Sequence, residues 1–78
     1  MLVVEDQAEV RKYAVAVLKE HGYRVIPAEN AGEALLVCEQ EHIDLLLTDD
    51  VMPNVGGREL TERLEKLQPG IRALFISG

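Results

Sequence analysis

The sequence predicts a doubly wound α/β fold built on a parallel sheet, and three observations carry that reading. Apolar segments of strand length alternate with segments of helical periodicity, in the order strand, helix, strand, helix, strand, helix, strand. Residues 43–48 are apolar at nearly every position, without the alternation of a strand that is buried on one side only. Such a run belongs to a central strand of a parallel sheet, covered on both faces. Finally, His21-Gly22, Pro53 with Gly56 and Gly57, and Pro69-Gly70 punctuate the segments. With right-handed crossovers, the intervening helices fall on both faces of the sheet.

The elements follow in order. Leu2-Val3-Val4 is a short strand that stops at Glu5-Asp6. Val10, Tyr13, Ala14, Val17 and Leu18 recur at helical spacing, with Arg11, Lys12, Lys19 and Glu20 on the opposite face. Asp6-Gln7-Ala8-Glu9 fits a capping box at the start of this helix, and Gly22 stands in the usual place just past its end. Tyr23 to Ala28 reads as a strand. Pro27 has no N–H for a ladder, which makes it an edge strand. Asn30-Ala31-Gly32-Glu33 is a second capping box, opening a helix through Ala34, Leu35 and Cys38, with Cys38 a small core residue. The strand Ile43 to Thr48 leads into the loop with Pro53. Leu60, Leu64 and Leu67 then stripe a third helix, which carries Glu59–Arg63 and Glu62–Lys66 at the favourable i,i+4 spacing. Ile71 to Ile76 is the fourth strand.

Bulk properties narrow the function. The 78 residues make at most one small domain. A net charge of −6 argues against nucleic acid, whose phosphates would be repelled, and against an anionic membrane surface. No apolar run approaches the roughly 20 residues of a membrane span. No signal peptide is expected, because Leu2-Val3-Val4 gives way at once to acids. A single cysteine excludes an internal disulfide and fits a reducing cytoplasm.

The chemistry gathers at strand ends. The first strand ends at Glu5-Asp6, the third at Asp49-Asp50 and the fourth at Ser77. In an open parallel sheet the carboxyl ends of the strands share one edge, where ligands bind. Several carboxylates crowded there cannot all ionise at low cost without a cation. Hard oxygen donors in this number suit Mg²⁺, which takes a few carboxylates together with water and phosphate oxygens. The residues alone therefore point to an acidic Mg²⁺ pocket for phosphoryl chemistry, which depends on positioning and charge neutralisation.

Leu2-Val3-Val4-Glu5-Asp6, then Asp49-x-x-Met52-Pro53 with Gly57 beyond, then Ser77-Gly78 after an apolar strand, resembles the receiver domain of two-component response regulators and hybrid sensor histidine kinases. The resemblance runs through the whole chain in register. It implies a flavodoxin-like, CheY-like fold with the strands ordered 2-1-3-4. It also implies that Asp49 accepts a phosphoryl group from the phosphohistidine of a histidine kinase or histidine phosphotransfer domain. Glu5 and Asp6, with Asp49 and the backbone carbonyl of Val51, would hold Mg²⁺. Ser77 would be the hydroxyl that meets the phosphoryl group when the domain switches. Asp50 is then a solvent-facing neighbour of the acceptor.

The chain departs from the family pattern in three places. Glu5 is one methylene longer than the usual Asp. Asn54, Val55 and Gly56 differ from the usual loop. The fifth strand with its Lys, and the last two helices, are absent, so residues 1–78 are expected to be the N-terminal two-thirds of a receiver. Its fourth strand would then be an open edge, inviting dimerisation or strand exchange. Two other classes compete. An Mg²⁺-dependent phosphatase-like α/β enzyme would want Asp-x-Asp, but position 51 is Val. A degenerate receiver that only docks would not need Asp49, Glu5, Asp6 and Ser77 together.

Overall fold

The computed structural model describes residues 1–49 and 56–76. Among these the elements run β1 (Leu2–Val4), α1 (Ala8–Glu20), β2 (Ile26–Ala28), α2 (Ala31–Gln40), β3 (Leu45–Asp49), α3 (Gly57–Leu67) and β4 (Arg72–Ile76). The four strands are parallel and ordered β2-β1-β3-β4, the predicted doubly wound arrangement. Pro27 lies on the edge strand, as its missing N–H requires.

α2 and α3 cover one face. Leu2, Val4 and Leu46 of the sheet pack there with Ala34 and Cys38 of α2 and Leu60 and Leu64 of α3, all buried. Gln68, just past α3, ties this layer together. Its side-chain oxygen accepts from the Ile43 N–H at 2.6 Å, and its amide donates to the carbonyls of Cys38 and Glu41 at 2.7 Å each. The other face carries α1.

Several local expectations are met. The Asn30 side chain accepts from the Glu33 N–H, while the Glu33 carboxylate reaches back to the N–H of Glu29, each at 2.9 Å. Gly22 has a φ of 89°, the left-handed conformation that closes α1 without a Cβ penalty. Glu59 and Arg63 pair at 3.1 Å.

Other details differ from the sequence reading. β2 is shorter than Tyr23–Ala28, because β1 offers only three residues to pair with. β3 starts at Leu45 rather than Ile43, whose N–H is taken by Gln68. The expected cap Asp6 is replaced by Gln7, which makes no side-chain cap bond. The central strand is also less symmetric than its sequence implies. Leu46 and Thr48 are buried, but Leu45 and Leu47, on the α1 side, are only half-buried. Among the described residues, α1 is the one helix on that face.

Candidate functional site

The parallel register builds the site. Val4 lies opposite Thr48, so the next residues, Glu5 and Asp49, leave adjacent strands at the same level and toward the same side. One carboxylate oxygen from each of Glu5, Asp6 and Asp49 falls within a cluster no wider than 4.8 Å. Three of the predicted metal-site residues therefore meet. Glu5 is the enclosed member, 5% exposed, and Asp6 and Asp49 are more open.

Electrostatics mark Glu5 as the strained member of the cluster. Burial first, then a hydrogen bond shared with Asp49 and the negative charges of Asp49 and Asp6, push its carboxyl pKa above the ordinary range. The backbone N–H of Gln7 donates to the carboxylate and partly opposes this. Two carboxyl groups sharing one hydrogen bond need either a proton between them or a cation in its place. Three hard oxygen donors at this spacing, one of them destabilised as an anion, fit Mg²⁺.

The surroundings hold the acids in place. Buried Thr48 donates its hydroxyl to the Asp49 carbonyl at 3.2 Å. Gly57 opens α3 against the end of β3. A Cβ there would stand 2.7 Å from the Asp49 carbonyl oxygen and 3.1 Å from the Phe75 ring. Gly57 is thus a close-approach residue as well as a loop ending. Its contact could not be foreseen without knowing that α3 starts under Asp49. Arg11, placed by the sequence on the outer face of α1, is half-buried and donates from Nη1 to the Glu5 carbonyl at 2.7 Å. Its only sequence signal is a long donor one turn into the helix that follows the acids. Ser77, Asp50 and Val51 lie outside the described residues. Asp49 pairs in register with Ile76, the residue before Ser77.

Fold and site together define a receiver-type signalling domain, and the comparisons agree. The chain belongs to the response regulator receiver domain family, whose model matches residues 1–78. It is 36% identical over 78 residues to the response regulator receiver protein CpdR of Brucella abortus, spanning 65% of that protein's length. It is 38% identical over 80 residues to sensor kinase CckA of the same organism, where it corresponds to 8% of the length. Both alignments cover the whole chain. Among solved structures, the response regulator TrrA of Thermotoga maritima, in complex with Mg²⁺ and BeF, matches with a TM-score of 0.88 at 30% identity. That match covers 97% of this chain and 66% of TrrA. No helix among the described residues is long and apolar enough to cross a membrane.

Proposed function

We propose that the chain is the phosphoacceptor part of a two-component phosphorelay, taking a phosphoryl group onto Asp49 from the phosphohistidine of a histidine kinase or histidine phosphotransfer domain. The observation that carries this reading is the meeting of the Glu5, Asp6 and Asp49 carboxylates at the carboxyl edge of the sheet. A carboxylate oxygen of Asp49 attacks phosphorus. The P–N bond breaks as the O–P bond forms, and the imidazole nitrogen leaves with the bonding pair. Glu5, Asp6, Asp49 and the Val51 carbonyl would hold Mg²⁺, which when bound neutralises charge on the phosphoryl oxygens. TrrA, in complex with Mg²⁺ and BeF, supports this choice of ion. Ser77 is the switch hydroxyl in this reading.

The chain is then a signalling module, with phosphotransfer and autodephosphorylation its only chemistry. The similarity to a sensor kinase as well as to a free-standing receiver supports a kinase partner. A cytoplasmic setting belongs to the same reading, and the buried free thiol of Cys38 is consistent with it.

Phosphotransfer to the protein from a phosphorylated histidine donor tests the proposal. Wild type and Asp50→Asn should take up acid-stable, hydroxylamine-sensitive label, and Asp49→Asn should not. Label retained in Asp49→Asn would move the acceptor elsewhere. No label in wild type that still binds Mg²⁺ would leave a docking module.

A further inference from the structure

The main chain of Glu5 is held by two different elements. Its N–H donates to the Ala28 carbonyl of β2 at 3.1 Å, carrying the parallel ladder one residue past β1. Its carbonyl accepts from Arg11 Nη1 at 2.7 Å. That carbonyl belongs to the peptide joining Glu5 to Asp6, so the bond sets the plane from which Asp6 emerges. Among the described residues no side-chain cap holds this turn from the start of the helix, because the N-cap Gln7 makes no such bond. The Gln7 N–H is already directed to the Glu5 carboxylate. A charged donor on a partly buried carbonyl also makes a stronger bond than a neutral one.

From this geometry we infer that Arg11 is a positioning residue of the acidic pocket, fixing the angle at which the Glu5 and Asp6 carboxylates meet Asp49. It acts on the peptide, whereas the groups acting on the Glu5 carboxyl are Asp49, Asp6 and the Gln7 N–H. The inference rests on the reading of Glu5, Asp6 and Asp49 as Mg²⁺ ligands. Mg²⁺ demands near-ideal octahedral geometry, while Ca²⁺ accepts longer and more variable arrangements. Loss of the clamp should therefore damage Mg²⁺ binding more than Ca²⁺ binding. A residue serving only the stability of α1 would not alter that preference.

The experiment is titration of the protein with Mg²⁺ and, separately, with Ca²⁺, followed by the backbone amide shifts of Glu5 and Asp6. Wild type, Arg11→Ala, Arg11→Lys and Glu5→Gln are compared. Arg11→Ala should weaken Mg²⁺ binding by about tenfold, the usual scale for residues that orient ligands, and should lose less for Ca²⁺. Arg11→Lys keeps one donor but not the planar fork, and should fall between. Should the Ala variant not fold, the Lys variant against wild type reads the same comparison. An unchanged preference between Mg²⁺ and Ca²⁺ in the Arg11 variants, whether or not affinity falls, with Glu5→Gln impaired, would overturn the role of Arg11 alone. A wild type indifferent to Mg²⁺, or Glu5→Gln binding as wild type does, would overturn the metal reading itself and this inference with it.

Discussion

The two faces of the sheet carry similar apolar patterns and end in different states. On the α2–α3 side, Leu2, Val4, Leu46, Leu60 and Leu64 are at most 1% exposed. On the α1 side, the helix has an apolar stripe of its own, yet none of its residues is buried. Val10 is 43% exposed and Tyr13 73%, and Leu74 of β4, level with Leu47, is 55% exposed. An apolar groove of about 350 Å³ runs between Leu47 and the stripe of α1. Amphipathic patterning gives a helix a face to bury. Burial follows only where neighbouring elements close around that face, and α2 and α3 do this for each other while α1 has no helical neighbour among the described residues.

The largest effect expected from this difference is at Leu64. Replacing it by Ala removes a fully enclosed side chain from the layer between α3 and β3, and should cost about 2–5 kcal/mol. That is a large share of the ~5–15 kcal/mol that typically holds a domain together. Chemical denaturation should show it as a lower midpoint with an unchanged slope. A loss under about 1 kcal/mol would mean that the α3 layer is as loose as the α1 layer, and would erase the comparison.

A smaller effect concerns Glu5, at the end of the sheet where the two faces meet. Its carboxyl pKa is raised in the folded protein above the ordinary 4.5. The folded state thus holds this proton more tightly than the unfolded chain does. The contribution to stability is full below the unfolded pKa and fades as pH rises through the folded one. In the absence of divalent cations, stability should therefore fall as pH rises above the ordinary carboxyl value of 4.5, and Glu5→Gln should flatten that slope. Thermal melts in a pH series check it. A Glu5→Gln profile parallel to wild type would show that Glu5 is not the group responsible.

The smallest effect expected is at Tyr13. Its replacement by Ser should change stability by less than about 0.5 kcal/mol, because so little of the ring is covered. What it should change is association. The ring belongs to the less covered side of the sheet, on the rim of the groove toward Leu47. Light scattering at several concentrations should show wild type associating more than Tyr13→Ser. A wild type that remains monomeric throughout would show that the α1 face attracts no second copy.

The order of the elements is legible in the sequence, because periodicity and turn residues act within a few positions. The sequence placed Pro27 on an edge, Asn30 at a helix start and Cys38 in the core for the same local reasons. It also identified the acids that meet, since a parallel sheet brings strand ends to one side whatever the detail of its packing. Tertiary contacts were needed to show that Gln7 rather than Asp6 precedes α1, with Asp6 drawn into the carboxylate cluster beside Glu5 and Asp49. The same holds for the approach of Gly57 to the Asp49 carbonyl, the reach of Gln68 across to Ile43, Cys38 and Glu41, and the bond from Arg11 to the peptide after Glu5. Each joins groups from different elements, or from a turn whose path the helix start sets. A sequence pattern states which residues want a partner, and distance in the folded chain decides which partner is there.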